Sequence, residues 1–180
     1  MSDIGFQIIW YNKFMQDVSD LTIYKNALNL LKPIYRLVNL LPEKEYKLRN
    51  QTWEAAKSIA PLIAEGFAKK RSQNEFKRFL LMALGSSDEV ITHLREIKII
   101  NFSNIKNETC EALIKYYKIE SKQINRCISI IIQNQKYPKS DIRNPKSDIR
   151  IARVVKLVYT RDLKSLGFIL RAGSSPAPGT

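Results

Sequence analysis

The chain has 180 residues and 44% apolar content, enough for one domain with a buried core. Thirty Lys and Arg against seventeen Asp and Glu give a net charge of +13, which suits a polyanion partner, because neutralised phosphates release counterions, and suits a soluble chain with charged helix faces equally well. No stretch approaches the roughly 20 apolar residues that span a bilayer, the first residues lack the basic start of a signal peptide, and two cysteines with one histidine argue against a disulfide framework or a zinc site.

In chain order, residues 1–19 are an N-terminal extension in which Ile8-Ile9-Trp10-Tyr11 is apolar enough to dock on the rest of the chain or on a partner. From Asp20 to Leu41, apolar residues recur at Tyr24, Ala27, Leu28, Leu31, Ile34, Tyr35, Val38 and Leu41. Spacings of three and four predict an amphipathic helix. Ser19 or Asp20 is placed to cap its free N–H groups, Pro33 predicts a kink inside it, and Pro42 its end.

A second helix is expected from about Glu43 to Phe67, with the stripe Leu48, Thr52, Ala55, Ala56, Ile59, Ile63 and Phe67. Pro61 predicts another bend, and Gly66 is placed to help end the helix. Ser72-Gln73-Asn74-Glu75 has the form of a capping box and opens a third helix, whose stripe is Phe76, Phe79, Leu80, Ala83, Ser87, Val90, Leu94 and Ile97. Gly85 and Ser86 within it predict a tight helix crossing. After a turn over 101–107, a fourth helix carries Thr109, Leu113, Tyr116, Tyr117, Ile124, Cys127, Ile128 and Ile131. The two cysteines, Cys110 and Cys127, fall in this pattern and are expected as buried free thiols, which fits a reducing cytoplasm.

Four amphipathic helices with short links make an all-α, antiparallel up-down-up-down four-helix bundle over residues 20–136 the expected fold. Residues 137–180 differ in character. PKSDIRN at 138–144 is followed by PKSDIRI at 145–151, and Pro-Lys-Ser-Asp repeats cannot bury a core, so a disordered basic tail is expected. Gly173-Ser174-Ser175-Pro176 is also what the T-arm of a tRNA gene encodes in one frame. The tail therefore reads either as a genuine arm or as read-through into such a gene. It holds nine basic and three acidic residues, which leaves 21 basic and 14 acidic in residues 1–136, a charge of +7.

The chemistry is thin. No Ser-His-acid order, nucleophile elbow or phosphate-cradling glycine loop occurs, so no catalytic residue and no cofactor is assigned. Glu89, His93 and Glu96 share one helix face, yet a metal site would need ligands this chain lacks, and polar contacts between helices or subunits are the better assignment. Glu65, Gly66, Gly85, Ser86 and Glu89 are assigned to helix pairing or subunit contact, with Arg78 or Arg95 as partners for the carboxylates. Lys69, Lys70 and Arg71, with Lys77 and Arg78 on the next helix, form the best anion-binding patch, since several cations sit beside a helix N-terminus. The same cluster also reads as a solvated connection. Tyr116, Tyr117 and Lys118 suit base stacking or the core.

Asp20-Leu21, Tyr24, Ala27-Leu28, Leu41-Pro42, Ser58-Ile59, Ile63-Ala64-Glu65-Gly66-Phe67, Glu75-Phe76, Arg78-Phe79-Leu80 and Ala83-Leu84-Gly85-Ser86 together resemble the bundle proteins encoded in intervening sequences of bacterial 23S rRNA genes. The resemblance spans roughly residues 20 to 135. It implies an oligomer, a pentamer in the related accessory protein of diversity-generating retroelements, which is basic and binds a reverse transcriptase and nucleic acid. It thus implies RNA or DNA, and a partner protein, as partners. The chain departs from the family where Trp53 and Glu54 stand in place of a basic pair, and where Ala60-Pro61-Leu62 replaces Pro-Ala-Asn. The expected function is a non-enzymatic, oligomeric, nucleic-acid-associated accessory protein; the alternative is a protein-interaction scaffold.

Overall fold

A computed structural model describes residues 17–136; the expectations for residues 1–16 and for the repeat-containing tail, its disorder included, lie outside the described residues. The chain enters through a short 3-10 turn, Val18–Asp20, in which Asp17 Oδ1 accepts the N–H of Ser19 at 2.7 Å and Asp20 Oδ2 accepts the N–H of Asp17 at 3.1 Å. The capping therefore lies one turn earlier than Ser19 or Asp20 would put it. Helix α1, Thr22–Val38, follows the buried Leu21 with no side-chain cap of its own. It runs through Pro33, and Asn39 ends it before Pro42 is reached.

Leu41, 3% exposed, is pinned by Arg49, whose guanidinium donates to the Leu41 carbonyl. A second 3-10 turn, Glu43–Glu45, leads into α2, Tyr46–Ala68. Every residue of the expected α2 stripe is buried, and the one polar member, Thr52, donates its hydroxyl to the Leu48 carbonyl at 2.6 Å. That bond removes the penalty of a buried, unpaired hydroxyl.

Helix α3, Gln73–Ile100, is capped by Ser72, whose Oγ accepts the Glu75 N–H at 3.4 Å. Only half of the expected box forms, because the Glu75 carboxylate turns to Arg78 instead. Asn101 closes α3 in the left-handed conformation, φ 58°, which asparagine tolerates better than most residues. Helix α4, Asn107–Lys136, completes the set, and among the described residues there is no strand.

The helices pack in sequence, α1 on α2, α2 on α3, α3 on α4, and α4 closes back on α1. Lys98 meets Glu111 near the α3–α4 connection, and Asp88 meets Ser121 ten residues further along each helix. That constant step fixes α3 and α4 as antiparallel. The result is the expected up-down-up-down bundle. Ile34, Ile59, Ile63, Leu80, Ala83, Val90, Leu94 and Ile124 are all at 0% exposure on the axis. Each buried Ile or Leu there contributes roughly 1.5–3 kcal/mol relative to an exposed one.

Gly66 lies inside α2, buried, with the cap at Lys69. A Cβ on Gly66 would sit 2.8 Å from Phe79 Cβ and 3.1 Å from Phe76 Cδ2, so its role is to let α3 approach and not to end the helix. Gly85 is the reverse case. It is exposed, and a Cβ there would meet nothing within 4 Å. Two residues from both Ala83 and Ser87, it faces away from the core that they line, so the tight crossing expected at Gly85-Ser86 does not occur within the protomer.

Candidate nucleic-acid interface

The basic cluster forms at the α2–α3 connection, but its charges are partly committed. Lys69 Nζ lies 2.8 Å from Glu65 Oε1 and 4.3 Å from the centre of the Phe79 ring. Arg78 pairs with Glu75 at 3.0 Å and stacks 4.5 Å from the same ring. Lys70 stands 3.8 Å over Phe67. The Arg78 hydrogen bond holds the Glu75 carboxyl below the usual range, and Glu75 in turn raises Arg78. Arg71 is exposed and Lys77 half-buried. Five cations and two carboxylates thus share one end of the bundle.

Glu65 is exposed, and its ion-pair partner is Lys69, which caps α2, and not Arg78. Ser86 is half-buried and Glu89 exposed. His93, with 13% of its side chain exposed, lies between Glu89 at 3.6 Å and Glu96 at 3.7 Å. All three are on α3, and no set of three or more His, Cys, Asp or Glu placed to hold a metal ion occurs among the described residues.

Tyr117 is 1% exposed, in the core, and so is unavailable for stacking on a base. Beside it on α4 lies the residue that the pattern missed: Glu120, 1% exposed, whose carboxylate oxygens have no hydrogen-bond partner among the described residues. Burial pushes its carboxyl up to about 8, and the Asn26 amide offsets only part of that rise. Asn26 itself donates to Gln123 Oε1 at 2.8 Å, joining α1 to α4. Burial also raises the Tyr117 hydroxyl and the Cys110 thiol, and it pushes the Cys127 thiol up to about 11. Both cysteines are free, Cys110 buried and Cys127 half-buried.

A second basic surface lies between α3 and α4. Asp88, Ile91, Thr92 and Arg95 from α3 and Lys118, Ser121 and Lys122 from α4 line an open groove of ≈ 450 Å³. Lys118 and Lys122 stand four apart on one face of α4, in a row that Lys115 and Arg126 extend beyond the groove. Their meeting with Arg95 depends on the α3–α4 register.

Residues 19–126 match the family described as 23S rRNA-intervening sequence protein. The chain belongs to this family. The match begins in the 3-10 turn before α1 and ends within α4, so it takes in the first three helices whole and most of the fourth. Comparison with curated proteins gives no match. No helix among the described residues is long and apolar enough to cross a membrane.

Proposed function

We propose that this protein is a non-enzymatic accessory protein that associates with RNA or DNA through phosphate contacts, acting as a homo-oligomer in the cytoplasm. The observation that carries this reading is the charge of the bundle itself. Residues 1–136 hold 21 basic and 14 acidic residues, and one of those acids, Glu120, is buried in the core. The surface is thus more basic than the composition states. Lys69, Lys70, Arg71, Lys77 and Arg78 contribute contacts at one end of the bundle.

Phosphate contacts of this kind predict binding that falls steeply with salt and varies little with sequence. Titration of fluorescent RNA and DNA oligonucleotides at rising salt measures both. Affinity that is independent of salt, or that follows one sequence, counts against the proposal.

A specific feature favours a second reading as a protein-interaction scaffold. Leu81 and Met82 on α3 are 49% and 45% exposed, next to the exposed Gly85, and form an apolar strip on the outer side of the bundle. Exposed apolar patches mark contacts with protein, here a second copy or a partner protein. The two readings are compatible, because an oligomer repeats each basic patch.

A further inference from the structure

We infer that the groove between α3 and α4, lined by Arg95, Lys118 and Lys122, is a binding site for a nucleic-acid phosphate backbone and carries more of the affinity than the α2–α3 connection. The inference rests on the nucleic-acid reading above and assigns it a place.

The two basic surfaces differ in how their cations are occupied. At the connection, Lys69 and Arg78 each hold a carboxylate within 3.0 Å, and both lie against Phe79. A phosphate arriving there meets paired charge and must compete with Glu65 and Glu75. In the groove, Arg95, Lys118 and Lys122 are exposed and take part in no ion pair among the described residues. Lys115 and Arg126 continue the α4 row in both directions. Eleven residues of helix make that row about 16 Å long, close to the rise of five nucleotides at about 3.4 Å each along one strand.

One carboxylate, Asp88, lines the groove beside its three cations, and it accepts a hydrogen bond from within the protein. Asp88 Oδ1 accepts from Ser121 Oγ at 2.9 Å, and Ser121 Oγ lies 2.9 Å from Ser87 Oγ in the buried seam behind. The chain of hydroxyls ties the Asp88 carboxylate to α4 and holds the two helices in the register that brings Arg95, Lys118 and Lys122 to one groove. Thr92 donates its hydroxyl to the Asp88 carbonyl at 2.9 Å. The hydroxyls of the groove are therefore spent within the protein, and no Asn or Gln lines it. Such a surface offers cations to phosphates and no free amide or hydroxyl to fix the register of a base, so its binding is expected to vary little with sequence.

The test compares two variants of the full chain. One is Arg95→Gln/Lys118→Gln/Lys122→Gln, and the other is Lys69→Gln/Lys70→Gln/Arg71→Gln. All three groove residues are exposed, so circular dichroism should show wild-type helicity. On a 20-nucleotide RNA at 100 mM salt, the groove variant is expected to lose at least tenfold in affinity, and the connection variant about threefold. The slope of log affinity against log salt should become shallower by about 2 in the groove variant, from roughly 0.7 per single-strand phosphate contact. An unchanged groove variant, or a larger loss in the connection variant, overturns the assignment while leaving nucleic-acid binding itself intact. Absence of RNA binding by the wild-type chain at 50 mM salt overturns both. Competition by polyglutamate as effective as by RNA of equal charge would show a site for acidic protein and overturn the choice of nucleic acid.

Discussion

Gly66 and Gly85 sit on neighbouring helices, and the structure gives them opposite duties. At Gly66 the missing Cβ is filled by Phe79, whose own Cβ is part of the α3 backbone wall and cannot swing aside. Gly66→Ala gains helix propensity but forces α2 and α3 apart. Overpacking typically costs about 1–3 kcal/mol and the propensity gain is about 1 kcal/mol, so the expected result is a net loss of about 1 kcal/mol and a melting temperature lower by a few degrees. Gly85 has open space around it, and Gly85→Ala should stabilise by about 0.5–1 kcal/mol. Thermal melts of the two variants side by side check this, and a reversed order would show that the α2–α3 approach is mis-assigned. From sequence Gly66 reads as a helix end and Gly85 as a crossing point, whereas the close approach lies at Gly66. The spacing of Gly85 from Ala83 and Ser87 already turns it from the core, but the packing of Phe76 and Phe79 on Gly66 depends on how α2 meets α3.

At the scale of elements, the stripes were legible because the core obeys the helical period. All apolar positions of the α2 and α3 stripes are buried, and Ser72 starts α3 where the pattern put it. The fourth stripe was only partly readable, since α4 also buries Glu120, Ser121 and Gln123, polar residues that a hydrophobicity pattern assigns to solvent. Glu120 has a measurable consequence. In the native state its carboxyl is raised to about 8 from an ordinary value of 4.5. Below 4.5 both folded and unfolded chains hold the proton, so the group is neutral in the balance. Between 4.5 and about 8 the folded chain keeps a proton that the unfolded chain releases, so stability falls as pH rises through that window. The full loss is on the order of a few kcal/mol. Glu120→Gln should remove this dependence, with little effect at pH 4 and a clear gain in stability at pH 8. Urea denaturation of both proteins across that range is the measurement. A variant with the same downward slope would place the proton elsewhere.

For the whole molecule, the contrast between fold and site has a physical cause. Core residues announce themselves through a period that one helix imposes on its own sequence. A surface for a polyanion is assembled from cations on two helices, and its strength depends on which carboxylates are near each of them. The sequence put Lys69, Lys70, Arg71, Lys77 and Arg78 together but did not show that Glu65 would pair with Lys69, Glu75 with Arg78, and Phe79 lie against both cations.

The same logic bears on assembly. Leu81 and Met82 lie about half exposed on the outer side of α3, with Gly85 one turn on and open space around it. If copies of the bundle pair through this strip, each basic surface is presented several times along one nucleic acid, and modest contacts add through high effective concentration. Leu81→Glu/Met82→Glu puts charges into that contact without touching the core. The expected outcome is a fall in mass toward a single chain by light scattering, with helicity retained. Affinity for a short oligonucleotide that reaches one protomer should hold within a few-fold, whereas affinity for a long RNA should fall at least tenfold. A variant that keeps its assembled mass places the subunit contact on another face of the bundle. One that becomes a single chain yet binds long RNA as before separates assembly from binding altogether.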